Sequence, residues 1–182
     1  MEEKNKAWKT VSSKYLFRRP WLTVRCEDML LPNGNHIPEY YILEYPDWVN
    51  TIAITKEGKF VFVRQYRPGI GRTCYELCAG VCEKEDVSPL VSAQRELWEE
   101  TGDGNGNWQE YMVVSANPST HTNLTHCFLA TDVELIDHQH LEATEDISVH
   151  LFTLEEVRTL LENNEIMQSL NAAPLWKYMA SL

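Results

Sequence analysis

Glu96, Glu99 and Glu100 stand at i, i+3 and i+4 in the run Arg95-Glu96-Leu97-Trp98-Glu99-Glu100-Thr101-Gly102. On a helix, that spacing projects three carboxylates from one face. Like charges so placed repel, and something must offset the repulsion. Two readings compete. Acidic clusters on helices are usually solvated faces, and Arg95 would then be a local counter-charge. In the sharper reading the carboxylates hold a hard divalent cation. Magnesium favours oxygen ligands and keeps several waters, leaving positions for substrate phosphates.

The helix that would carry this face has clear ends. Ser88 is a good N-cap and Pro89 a good first helical residue. Gly102 is a good stop. Leu90, Val91, Ala93 and Leu97 form a stripe that can be buried. Upstream lie Glu76-Leu77-Cys78-Ala79-Gly80 and the acidic stretch Glu83-Lys84-Glu85-Asp86. Together these residues resemble the Nudix box, G-x5-E-x7-R-E-U-x-E-E-x-G-U, where U is bulky and apolar. Gly80, Arg95, Glu96, Leu97, Glu99, Glu100 and Gly102 match it. Gly80 and Arg95 are one residue further apart than in the pattern, so the loop before the helix carries an insertion. The box's first glutamate falls on Asp86 counted forward from Gly80 and on Val87 counted back from Arg95, with Glu85 a third choice. Asp103 stands where the last apolar residue belongs.

The chain has 182 residues, 43% of them hydrophobic and 24% charged, the composition of a soluble globular domain with a substantial core. A net charge of -11, from 27 acidic and 16 basic residues, argues against a broad nucleic-acid-binding face. It leaves room for a small phosphorylated ligand held by metal ions and a few arginines. No apolar run approaches the roughly 20 residues of a membrane span. The charged start, Met1-Glu2-Glu3-Lys4-Asn5-Lys6, lacks the apolar segment of a signal peptide, and a cytoplasmic location is expected. Five cysteines cannot all pair. Cys74, Cys78 and Cys82 fit zinc spacing poorly, so reduced thiols are expected. The six histidines, including His138 and His140 around Gln139, read as surface loop residues and stay outside the expected site.

In chain order, residues 8–19 and 21–31 read as strands, the second alternating apolar and polar residues over Trp21–Cys26. Pro32-Asn33-Gly34-Asn35 turns the chain into a third strand, His36–Tyr45. Strands are expected over Val49–Thr55, Lys59–Gln65 and Thr73–Ala79. Asp103–Asn107 reads as a flexible connection after the box helix. Strands over Trp108–Ala116 and His126–Val133 enclose a polar loop, Asn117–Asn123. A long loop, Ile136–Asp146, leads to a last strand, Ile147–Phe152. Thr153 and Glu156 make a capping box for the next helix, and a final helix covers about Ser169–Ser181. The expected fold is α/β of the α+β type: a Nudix-like α/β/α sandwich on a mixed sheet. It is divided into an N-terminal antiparallel β region, residues 1–47, and a hydrolase domain, residues 48–182.

Beyond the box, the chain resembles the ADP-ribose pyrophosphatase branch of the Nudix family. Val63-Arg64-Gln65-Tyr66-Arg67-Pro68 followed by Glu76-Leu77-Cys78-Ala79-Gly80 resembles its Q-x-R…E-L-P-A-G run, with Cys78 for the usual proline. Pro118 falls where that branch has a proline after the box, and Glu142–Phe152 resembles its E-x-E-D-I-x-V-H stretch. The resemblance implies metal-dependent cleavage of a pyrophosphate in ADP-ribose or a nucleotide sugar, giving a nucleoside monophosphate and a phosphorylated product. Mg2+ or Mn2+ would be held by Glu96, Glu100, Glu99 and the Ala79 carbonyl beside Gly80. Arg95 would orient the glutamates, and Glu145 or Glu142 would act as general base, Glu145 being favoured. Arg67 would meet phosphate or ribose, or else pair with Glu76. Trp21, Tyr66 and Trp48 are aromatic candidates for stacking on the base, with Trp48 better read as core. The branch also implies a homodimer formed through the N-terminal region. The loop Asn117–Asn123 departs from the branch's S-P-G-x-x-x-E pattern, which keeps substrates other than ADP-ribose open. Two alternatives stand beside this reading. One is a Nudix-fold sensor that binds without cleaving; such proteins usually lose helix carboxylates that this chain keeps. The other is a nucleoside triphosphate pyrophosphohydrolase, which would be expected to lack the long N-terminal β region.

Overall fold

The computed structural model describes residues 6–182, and the charged start at 1–5 lies outside the described residues. The chain forms two compact units, one built from residues up to Pro46 together with Asn117–Asn123, the other from Asp47–Ala116 and Leu124–Leu182.

The first unit is a three-stranded antiparallel sheet of β1 (Lys9–Arg19), β2 (Leu22–Leu30) and β3 (His36–Glu44), with β2 in the middle. Asn33 and Gly34 make the β2–β3 turn as their types require. Asn35 N–H donates to Asn33 Oδ1 at 3.0 Å, and Gly34 adopts φ 86°. The loop 117–123 joins this unit through Leu43, whose N–H donates to Thr120 O at 2.8 Å.

The second unit contains β4 (Trp48–Thr55), β5 (Phe60–Arg67), β6 (Arg72–Glu76), β7 (Cys78–Val81), α1 (Pro89–Thr101), β8 (Asp103–Gly104), β9 (Asn107–Val114), β10 (Thr125–Leu135), β11 (Ser148–Phe152), α2 (Leu154–Glu162) and α3 (Ser169–Met179). The central order is β11-β5-β4-β10-β8, with β6 on β5, β7 on β4 and β9 on β10. Among the described strands of this sheet only β4 and β10 run parallel, so the sheet is mixed.

Strand alternation divides the core between the two faces. Ile52, Ile54, Phe60 and Phe62 pack with Val157, Leu161 and Leu175 from α2 and α3. Ala53, Val61, Cys78, Ala130 and Val133 pack around Leu97 of α1, and Val49 and Phe128 around Ala93. A bulge between Thr131 and Val133, with Asp132 at φ 60°, lets Val133 return to the α1 face occupied by Ala130. The result is the α/β/α sandwich expected from the sequence.

Two expectations need correction. Thr73–Ala79 is not one strand. The chain breaks at buried Leu77, leaving β6 on the edge of β5 and passing to β7 on β4. Nor is 103–107 a loose connection. Asp103 and Gly104 pair with Leu135 and Glu134, Asp103 is buried, and Asn105 Nδ2 donates to Glu134 Oε1 at 2.9 Å. These pairings depend on a strand far along the chain, which local composition does not reveal.

The helix caps follow the sequence closely. Ser88 Oγ accepts from Val91 N–H, Gly102 takes the left-handed conformation at φ 77°, and Thr153 with Glu156 completes a capping box. Thr153→Ala should cost about 1 kcal/mol in denaturant unfolding. Leu97→Ala, which opens a hole under α1, should cost about 2–5 kcal/mol. Equal costs for the two would refute the placement of Leu97 at the centre of that face.

Candidate active site

The loop β7–α1 and the helix α1 gather the acidic groups around one guanidinium. Arg95 Nη2 donates to Val81 O at 3.0 Å and to Asp86 Oδ2 at 2.9 Å. Arg95 Nη1 donates to Glu96 Oε1 and Glu99 Oε2, each at 2.9 Å. Burial works against the charge of Arg95, but Asp86, Glu96 and Glu99 outweigh it and keep the guanidinium protonated. Asp86 also accepts from Ser92 Oγ–H at 2.8 Å and from Glu83 N–H at 3.2 Å. The Arg95 bonds, foremost, hold its carboxyl below the usual range. This settles the ambiguity left by the inserted residue: Asp86 is the loop acid that meets Arg95, while Val87 is exposed.

Glu100 points into the protein. Only 4% of it is exposed, and its Oε2 accepts the Ala79 N–H at 3.1 Å. Burial, more than any other cause, pushes its pKa up to about 8. Burial raises the Glu96 carboxyl as well, against the pull of Arg95. Gly80 is what allows the approach: a Cβ there would collide with the Glu96 carboxylate. One buried and one half-buried carboxylate with raised pKa values, beside a glycine that leaves Glu96 room, make a donor set of oxygens suited to a divalent cation. Glu99 is more exposed and tied to Arg95.

Glu145 adds negative potential to both Glu96 and Glu100, so it lies within electrostatic range of the cluster. Its Oε2 accepts the Glu142 N–H at 2.8 Å, and its N–H donates to Glu142 O at 3.0 Å. Both residues are therefore parts of one tight turn, and the Glu145 charge is felt at the helix.

A cavity of about 360 Å³ opens beside Gly80, with Ala79, Arg67 and Glu76 in its lining. Arg67 Nε donates to Glu76 Oε1 at 2.9 Å, and Glu76 is buried. The ion pair anticipated as the bland alternative thus exists, and Arg67 lines the cavity as well. Trp48, read as core, is a half-buried cavity wall instead. It occupies the first position of β4, paired to Thr125 and Val81, two residues that line the cavity with it. Tyr66 is 60% exposed and is not among the cavity-lining residues, because alternation along β5 turns it away from its neighbour Arg67. Trp21 lies in the first unit, between β1 and β2, and is 76% exposed.

Sequence reasoning missed further residues that line the cavity: Asn50, Thr125, Gln168 and Asn171. Asn50 Nδ2 donates to Leu170 O at 2.8 Å, and the buried Thr125 Oγ1 and Asn171 Nδ2 have no protein partner. A signal was present: Asn50 is an amide inside a buried strand whose other residues are apolar or threonine.

The chain is similar to known proteins over most of its length. The nucleoside diphosphate sugar hydrolase N-terminal domain matches residues 8–43, and the NUDIX domain matches residues 45–172. An ADP-ribose pyrophosphatase of Bacillus subtilis (strain 168) is 31% identical over 165 residues, 90% of this chain and 88% of that protein. A methanol dehydrogenase activator of Bacillus methanolicus is 29% identical over 162 residues, 88% of this chain and 86% of its own. An ADP-ribose pyrophosphatase of Mycobacterium tuberculosis is 26% identical over 169 residues, covering 91% and 80%. A crystal structure of an ADP compounds hydrolase shares the fold, with a TM-score of 0.85 at 20% identity over 99% of this chain and 96% of that one. On the extent of these matches the chain belongs to the Nudix family of hydrolases, whose members generally act with divalent metal ions.

Proposed function

We propose that this chain cleaves the pyrophosphate of ADP-ribose or a nucleotide sugar, releasing a nucleoside monophosphate and a phosphorylated product. The observation that carries the proposal is the carboxylate pair of half-buried Glu96, packed on Gly80, and buried Glu100, bonded to the Ala79 N–H, two β7 residues that also line the cavity. The relatives named as ADP-ribose pyrophosphatases and the match of residues 8–43 to a nucleoside diphosphate sugar hydrolase domain support the substrate class. The intact Asp86–Arg95–Glu96–Glu99 network favours turnover over sensing, because the inserted residue leaves the helix carboxylates in order.

Glu96 and Glu100 would hold Mg2+ or Mn2+, with Glu99 and the Ala79 carbonyl as further ligands. A bound ion would neutralise the pyrophosphate oxygens and lower the pKa of a bound water. The rest falls to the protein's own groups. Arg95 is a positioning residue, keeping Glu96 and Glu99 in one orientation. Glu145 takes the proton of the attacking water as one P–O bond of the bridge breaks. Arg67, fixed by Glu76, presents a cation to the leaving phosphate, and Trp48 offers an aromatic wall to the base. The uncapped polar atoms of Thr125 and Asn171 can pair with polar groups of the ligand.

A homodimer completes the proposal. The N-terminal unit leaves Trp8 43%, Phe17 54% and Trp21 76% exposed, together with Val11, Tyr15 and Leu16, an apolar surface that a second copy would cover. Free cysteines, four of the five buried, support a reducing compartment and hence the cytoplasm.

Phosphate release, coupled to a phosphatase, from a panel of ADP-ribose, nucleotide sugars, dinucleotides and triphosphates with Mg2+ or Mn2+ tests the reaction. One diphosphate conjugate should turn over, and Glu100→Gln should abolish it. Binding of one conjugate without turnover would replace the enzyme by a sensor. Gly80→Ala should keep the melting temperature within a few degrees yet lower kcat about 100-fold, because Glu96 must move by about an ångström. Full activity in that variant would remove Glu96 from the metal site. Light scattering should give twice the 21.1 kDa chain mass, and a single-chain mass would refute the dimer.

A further inference from the structure

The segment after β10 holds a cluster that the reaction does not use. Asp137, His138 and His140 place one potential ligand atom each within 4.8 Å of one another. Asp137 Oδ1 is 2.7 Å from His138 Nδ1, and Asp137 Oδ2 is 3.0 Å from His140 Nε2. The two rings lie 4.3 Å apart between centroids. A tetrahedral ion with bonds of about 2.0 Å needs donor atoms about 3.3 Å from each other, so small adjustments would admit one.

The cluster is built on a fixed base. Asp137 N–H donates to Gly102 O at 3.1 Å, and His140 N–H donates to Glu99 O at 2.7 Å. Gln139 Nε2 donates to Glu100 O at 2.7 Å, so this side chain, lying between the two histidines, is spent on anchoring. The His140 ring stacks on Trp98 with centroids 4.0 Å apart. A side chain at Gly102 would strike the Asp137 carbonyl, so the glycine also permits this close approach. The whole turn therefore sits on the last carbonyls of α1, the end of a helix that favours positive charge. The Asp137 carboxyl is held down to about 2, first by the His138 N–H and then by the His140 ring, and so remains ionised.

We propose that Asp137, His138 and His140 form a site for a borderline transition-metal ion of the zinc class, separate from the carboxylate site of α1. Two imidazoles and one carboxylate suit such an ion, while magnesium and calcium prefer sets made of oxygen alone. The exposed His138 and Asp137 leave the remaining positions of the ion to water. An ion bound here would brace the root of the loop that carries Glu142 and Glu145, through the same hydrogen bonds to Glu99, Glu100 and Gly102.

Cobalt(II) titration of the full-length protein, stripped of metal by a chelator and held in excess Mg2+, tests the site. The readout is visible absorption. One equivalent should give d–d bands of nitrogen and oxygen ligation, displaced by zinc. His138→Ala and His140→Asn should each weaken cobalt binding by at least about tenfold, since even a lost supporting contact costs that much. Glu96→Gln should leave the bands intact. His138 is exposed, so its variant is expected to fold, and an unchanged melting temperature without cobalt would verify that. Absence of the bands, their persistence in both histidine variants, or a sulfur-to-cobalt charge-transfer band would each overturn the proposal. Loss of the bands in Glu96→Gln alone would assign them to the carboxylate site and overturn it equally.

Discussion

The guanidinium of Arg95 is the contact on which the site depends. Three acidic side chains and one backbone carbonyl converge on it, from the loop and from the helix. Without that cation, Asp86, Glu96 and Glu99 would repel one another, and the Ser92 hydroxyl on Asp86 would be left to hold the loop against α1 in the face of that repulsion. The bonds to Val81 O and Asp86 fix the guanidinium from the loop side, and the bonds to Glu96 and Glu99 transmit that position to the helix. Glu100 is held differently, by burial beneath β7 and by the Ala79 N–H. The two arrangements give two kinds of carboxylate on one helix, some balanced by a cation and one carrying the cost of burial. A cation bound there, as proposed, would relieve that cost and couple ligand binding to the stability of this corner of the fold.

How much of this was legible in the sequence depends on how local the cause is. The ends of α1 and α2 follow from Ser88, Pro89, Gly102, Thr153 and Glu156, whose effects act within a turn of the chain. The β2–β3 turn follows from Asn33 and Gly34 for the same reason. The break at Leu77 could not be read, because it depends on β6 and β7 having different partners, β5 and β4. Asp103 looked like part of a flexible stretch for a similar reason: its partner Leu135 lies far along the chain.

The candidate site divides in the same way. Glu96, Glu99, Glu100 and Arg95 share one helix, so spacing alone puts them together. Which loop residue takes the place of the box's first glutamate could be read only in three dimensions, where Asp86 bonds Arg95 and Val87 is exposed. Tyr66 and Arg67 are neighbours with opposite fates, because a strand sends adjacent side chains to opposite faces. The polar wall of Asn50, Thr125, Gln168 and Asn171 is assembled from β4, β10 and the start of α3, and no single window of sequence contains it.

The parallel pairing of β4 with β10 sets the order in which these parts can arise. Trp48 pairs with Thr125, and the antiparallel contacts β4–β7 and β5–β6 close over much shorter loops. Loop closure costs entropy before distant contacts can repay it, so a long-range parallel pair forms slowly. During synthesis α1 leaves the ribosome before β10 exists, with Leu97 and Ala93 awaiting partners that β10 supplies. The acidic helix therefore gains its complete apolar backing only at a late folding step. Until then the half-made sheet presents an open edge, and its protection becomes a matter of timing rather than of equilibrium stability.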